Sequence, residues 1–188
     1  MRPGDALIVV DVQKDFLPNG SLAAPEGNKI LKRLYEVIHL AKKAGVCVVA
    51  TRDYHPANHM SFKAQGGPWP VHCVQGSKGA EFSEGFPVEL IDIEIQKGTE
   101  ASKEAYSGFE DTDLKEQLKT RNIKKVYAVG LTTEYCVWST ARDALQNGFD
   151  TVVLEDLIAE VVPSAKTEKL NEMKANGIKI MSSTDLSF

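Results

Sequence analysis

The chain has 188 residues, a length that favours one domain burying about 70% of the surface its unfolded form exposes. Hydrophobic residues make up 43% and charged residues 26%, which excludes a disordered chain. With 22 basic against 26 acidic residues, a net charge of −4 leaves no basic footprint, so neither nucleic acid nor a membrane is an expected partner.

The first apolar run, ALIVV at 6–10, is five residues long and stops at Asp11. It reads as a strand, too short for a signal peptide or a membrane span. A helix over 28–44 follows, with Ile30, Leu31, Leu34, Val37, Ile38 and Ala41 on one face and Gly45 as its stop. VCVVAT at 46–51 is a second strand. From 54 to 89 the chain is rich in Pro, Gly, His and Asn and keeps neither a strand nor a helix period. A loop of that length with aromatic side chains is expected to be functional. Strands at 91–96, 125–131, 151–156 and 178–182 alternate with helices over 113–120, 135–146 and 164–175. Asn147-Gly148 and Asn176-Gly177 close the last two helices.

Most of these strands are apolar on both faces, as strands buried in a parallel sheet are. Alternation of strand and helix means right-handed crossovers. The expected fold is a single domain over 1–188, three layers α/β/α, with a doubly wound, mainly parallel six-stranded sheet.

Ligands of open α/β sheets bind beyond the carboxyl ends of the strands, and the reactive residues fall there. Asp11 follows the first strand, Arg52-Asp53-Tyr54-His55 the second, Lys97 the third and Leu131 to Cys136 the fourth. Taken singly, Asp11 serves equally as a turn cap and Lys97 as a solvated loop lysine. Cys136 lies where a strand hands over to a helix, where the helix dipole and a nearby ammonium would lower a thiol's pKa. It is therefore the candidate nucleophile, with Asp11 as base. Cys47 reads as a small buried hydrophobe and Cys73 as core. Three widely spaced cysteines form no disulfide framework and fit a reducing, cytoplasmic setting.

The long loop carries a second set. Asp53-x-His55, with His72 after Gly67-Pro68-Trp69-Pro70, offers one carboxylate and two imidazoles. Such a set suits Zn²⁺, Fe²⁺ or Mn²⁺; structural histidines explain the same residues about as well, and His59 is left undecided as a ligand.

IVVDVQKDF (8–16), TRDYHPANHMSF (51–62), GGPWPVHC (66–73), QKG (96–98), EAYSGF (104–109) and GLTTEYCV (130–137) together resemble the nicotinamidases, a group within the isochorismatase-like cysteine hydrolases. The similarity covers essentially the whole chain, and its most specific part is D-x-H-P with the later G-G-P-W-P-x-H-C. The resemblance implies the isochorismatase-like hydrolase fold, with 52–90 as a metal- and substrate-binding region. It also implies hydrolysis of nicotinamide, and of pyrazinamide, to acid and ammonia in NAD salvage. By family pattern Asp11, Lys97 and Cys136 are the catalytic triad and Asp53, His55 and His72 hold a divalent metal, with zinc favoured. Phe16 and Trp69 match the positions that sandwich the pyridine ring, and Tyr106 flanks the pocket. A cis peptide is expected at Leu131-Thr132, where Thr132 departs from the usual alanine. The backbone N–H groups of Thr132 and Cys136 are the expected oxyanion donors. Rival readings are a metal-free amidase of the same superfamily, a metal-hydroxide hydrolase and a non-enzymatic receiver-like module. Lys97, where receivers carry an acidic acceptor, speaks against the last. Self-association is left open.

Overall fold

In the computed structural model, which describes residues 1–188, the six expected strands form one sheet. They are β1 (Asp5–Val10), β2 (Cys47–Asp53), β3 (Ile93–Lys97), β4 (Lys125–Leu131), β5 (Asp150–Ala159) and β6 (Lys179–Met181). Their order is β3-β2-β1-β4-β5-β6 and every pairing is parallel. The chain builds outward from β1 to β3, then returns to place β4 beside β1. That reversal is the switch point at which doubly wound sheets open a crevice for ligands.

Four helices cover the two faces: α1 (Gly27–Lys43), α2 (Leu114–Thr120), α3 (Trp138–Gln146) and α4 (Ala165–Ala175). Leu34, Val37 and Ile38 of α1 pack with Leu7, Val9, Val48 and Ala50 on one side of the sheet. On the other side, Leu114, Leu118, Ala141 and Met173 pack with Ala6, Ile8, Val10 and Val49. Successive side chains of β1 thus enter opposite cores, which is why the strand is apolar throughout.

Four local features refine the expected elements. β3 is an edge strand and alternates, with Glu94 and Gln96 exposed between buried Ile93, Ile95 and Lys97. Cys47 is half-buried, because it stands at the open start of β2. α3 begins at Trp138 rather than Tyr135, because Thr133–Val137 is wound into a wider π-type turn. β5 also runs on to Ala159, since a register shift opposite Ala128 and Gly130 lets Ile158 and Ala159 pair with the end of β4. Gly130 is required there: its φ is +106°, and a Cβ would lie 2.2 Å from the Val10 carbonyl oxygen.

The long loop is ordered by backbone bonds to its surroundings. His55 N–H donates to the Cys73 carbonyl (2.9 Å), Trp69 N–H to Ser61 (2.9 Å) and Ser83 N–H to Val12 (2.9 Å). Phe62, wholly buried, sits against His55, His59 and His72.

Candidate active site

β1 delivers Asp11 beyond its carboxyl end, at φ +47°. Lys97 is the last residue of β3, and Cys136 lies in the turn after β4. Asp11 Oδ1 accepts from the Thr51 hydroxyl at 2.7 Å. Lys97 Nζ is 2.9 Å from Asp11 Oδ2 and 3.5 Å from Cys136 Sγ, donates to the Ala105 carbonyl at 3.3 Å, and bonds Asp53 Oδ1. One buried ammonium therefore joins two carboxylates and a thiol.

Burial raises the Asp11 carboxyl, against the pull of Lys97, and the Asp53 charge adds to the rise. Burial also pushes up the Cys136 thiol; Lys97 opposes this, while the Asp11 and Asp53 carboxylates reinforce it. The lowered thiol pKa expected from a helix terminus is thus overturned. Withdrawal from water beside two carboxylates outweighs the one ammonium. Lys97 is held charged: burial works against its ammonium, but Asp11 and Asp53 raise its pKa well above the usual lysine value.

Asp53, His55 and His72 present ligand atoms that all lie within 4.8 Å of one another, and all three are buried. Asp53 Oδ2 is 3.5 Å from His55 Nε2 and 3.9 Å from His72 Nε2. Each imidazole is anchored through its other nitrogen. His55 Nδ1 lies 2.9 Å from the Gly98 carbonyl and His72 Nδ1 2.8 Å from that of Pro70. A carbonyl only accepts, so each Nδ1 carries a proton, which leaves each Nε2, on the side of Asp53, as the nitrogen that binds a metal once it gives up its proton. That is how metal-binding histidines are held. Burial alone would raise Asp53, but Lys97 and His55 hold its carboxyl far below the usual carboxylate range, as a charged ligand requires. The donor set fits a divalent cation. Asp11, Asp53 and Cys136 also lie close enough to form a ligand group, but the Lys97 ammonium occupies their midst.

His59 falls outside this set. Its Nδ1 is bonded to the Ser61 hydroxyl (2.7 Å) and its Nε2 to the Lys103 carbonyl (2.8 Å), while its ring stacks on His55 with centroids 4.1 Å apart. Nε2 therefore donates to a carbonyl, and the one lone pair, on Nδ1, is taken by Ser61.

Cys136, Asp53 and His72 open onto a cavity of about 340 Å³, part of it open to solvent, which Phe16, Trp69, Tyr106 and Thr132 also line. Trp69 Nε1–H donates to the Tyr106 hydroxyl at 2.9 Å. The Leu131-Thr132 peptide is cis, and the Thr132 N–H donates to no other group of the chain. Glu104 and Ala105 line the cavity too, and sequence reasoning missed Tyr135, Leu22 and Val161 among the walls. Tyr135, whose ring meets Trp69 edge-on at 4.9 Å, had a signal in its place beside Cys136. Leu22 and Val161 had none, since both come from irregular segments outside the motifs.

Residues 5–185 match the isochorismatase domain family. The nicotinamidase/pyrazinamidase of Mycobacterium tuberculosis is 38% identical, the match covering 95% of this chain and 99% of that protein. The crystal structure of a Pyrococcus horikoshii pyrazinamidase in complex with zinc superposes with a TM-score of 0.91 at 50% identity, covering 96% of this chain and 99% of that one. A protein of L. infantum solved in complex with nicotinate gives 0.92 at 39% identity, covering 97% and 94%. The match runs through both the sheet that gathers the reactive side chains and the loop that walls the cavity, so the chain belongs to the isochorismatase family.

Proposed function

We propose that this protein is a nicotinamidase, hydrolysing nicotinamide to nicotinate and ammonia, with pyrazinamide as a second substrate, in NAD salvage. The observation that carries this reading is the meeting of Asp11 and Lys97 with Cys136, which opens onto a cavity lined by Phe16, Trp69 and Tyr106, with the Asp53, His55 and His72 group beside it. The relatives' names agree with it. A single domain over 1–188, with 52–90 supplying metal and substrate residues, suits this chemistry, and three free cysteines suit a cytoplasmic enzyme.

Covalent catalysis divides a difficult amide hydrolysis into two easier steps. In the resting site, burial and two carboxylates oppose a thiolate, so the proton stays on sulfur. Substrate stacks between Phe16 and Trp69, presenting its carboxamide to Cys136. Asp11 takes the Sγ proton as sulfur bonds to the amide carbon, and Lys97 steadies the charge passing between them. The Thr132 and Cys136 N–H groups hold the oxyanion, each worth roughly 3–4 kcal/mol by comparison with other acyl-transfer enzymes. Asp11 returns the proton to nitrogen, the C–N bond breaks and ammonia leaves a thioester. Asp11 then deprotonates a water that cleaves the C–S bond, freeing the acid and restoring the thiol.

Asp53, His55 and His72 would hold the divalent metal, for which zinc is our assignment. When bound, it supplies a Lewis-acidic point for the pyridine nitrogen, which orients the ring. Ammonia release from nicotinamide, with and without chelator, tests the whole reading. Release that falls on chelation supports it, and no release from metal-loaded protein overturns it.

A further inference from the structure

Gln13 takes no part in the reaction above, yet it is wholly buried. β1 ends at Val10, and Asp11 N–H makes the last contact along that edge of β2, to the Thr51 carbonyl at 3.1 Å. The chain then turns away, and Asp53 at the end of β2 has no strand beside it on that side. The Gln13 amide fills the place. Its Oε1 accepts from Asp53 N–H at 2.8 Å and its Nε2 donates to the Asp53 carbonyl at 2.8 Å. The second Nε2 hydrogen goes to the Ala80 carbonyl at 3.0 Å. A side-chain amide thus copies the donor-and-acceptor pair of a missing strand, and nothing on it is unsatisfied.

We propose that Gln13 is a positioning residue for the metal and proton chemistry, acting through Asp53. The inference rests on reading Asp53, His55 and His72 as a metal site. Asp53 has two duties at once: Oδ1 bonds Lys97 while Oδ2 faces the two Nε2 atoms. A carboxylate can serve both only if its backbone does not rotate or slide. β3 holds that backbone from the other side, where Asp53 pairs with Lys97. Gln13 supplies the opposing clamp, and with it Asp53 is held between two partners as in a central strand.

The reading that competes is a purely structural one, in which Gln13 merely satisfies buried backbone groups. The two differ in what a substitution does to metal binding. Zn²⁺-loaded wild type, Gln13→Met and Gln13→Asn are equilibrated against graded chelator, and bound Zn²⁺ is measured by elemental analysis alongside thermal unfolding. Methionine keeps the volume and loses the bonds; asparagine keeps the amide but is one methylene too short to span Asp53, and carries the test if the methionine variant does not fold. Thr151→Val is the control, since it removes a buried hydroxyl that bonds the Phe149 carbonyl at 3.0 Å near the opposite end of the sheet. Loss of an outer partner typically weakens metal affinity by about 10- to 100-fold. We expect that loss in the Gln13 variants and unchanged Zn²⁺ affinity in Thr151→Val, whatever its unfolding temperature. Wild-type affinity in a folded Gln13 variant, or an equal loss in Thr151→Val, overturns the inference alone. Wild type that binds no Zn²⁺ overturns the metal-site reading on which it stands.

Discussion

Lys97 Nζ lies 2.9 Å from Asp11 Oδ2, and neither side chain reaches solvent. An ammonium so placed is stable only because Asp53 shares it from the other side, and neither carboxylate would remain charged there without it. Removing one member of a buried ionic group leaves uncompensated charge, at a cost of about 3–5 kcal/mol. Lys97→Met is therefore expected to be destabilised by that order at neutral pH.

The pH dependence of that loss has a definite sign. In the wild type Asp53 is depressed by Lys97 and His55 despite burial, so its contribution is present above the unfolded carboxylate pKa and is lost as pH falls through the folded one. Asp11 is already raised by burial with Lys97 present; without Lys97 it rises further, and Asp53 loses the largest attraction that offsets its burial and rises with it. Their contribution is then greatest at low pH and is lost as pH rises. Denaturant unfolding at pH 5 and pH 8 should show the gap between wild type and Lys97→Met narrowing at pH 5; a gap that widens there contradicts the charge assignment.

Cys136→Ala should lower kcat by at least ~10³-fold while substrate still binds, since the residual machinery cannot form a thioester. Binding is read by the change in tryptophan fluorescence on titration with nicotinamide, Trp69 lying in the cavity wall. A metal-hydroxide mechanism would leave turnover largely intact.

Asp53→Ala and Gly98→Ala attack the metal trio from two directions. The first removes the only carboxylate among the three ligands. The second is steric: Gly98 has φ +59°, and a Cβ there would stand 2.5 Å from His55 Cε1 and 2.6 Å from Nδ1, displacing the imidazole. Both should lower zinc content measured on purified protein, and full occupancy in Asp53→Ala would refute its place as a ligand.

Benzamide tests whether the metal reads the ring. It stacks as nicotinamide does but has C–H where the pyridine nitrogen stands, and sites built around a polar contact reject analogues lacking it by factors near ~10⁴. Its kcat/KM should fall at least ~100-fold below that of nicotinamide on metal-loaded enzyme. Metal-stripped enzyme should lose most of the preference. Equal rates on the loaded form would mean that orientation comes from stacking alone.

Apolar runs and helix stops were enough to expect six strands, four helices and a parallel sheet, because both periodicities are local and both faces of the inner strands are buried. The placing of Asp11, Asp53, Lys97 and Cys136 near strand ends was legible for the same reason. Their meeting was not a local matter. Asp53 and Lys97 become neighbours because β2 and β3 pair in register, and Asp11 and Cys136 because β4 returns beside β1. His72 joins His55 only through the path of a loop without a period, and the Leu22 and Val161 walls arrive the same way. Protonation was the furthest from reach. A sequence shows which charges exist, but the Cys136 thiol is raised because folding removes its water and sets two carboxylates near it, and burial is a property of the assembled fold.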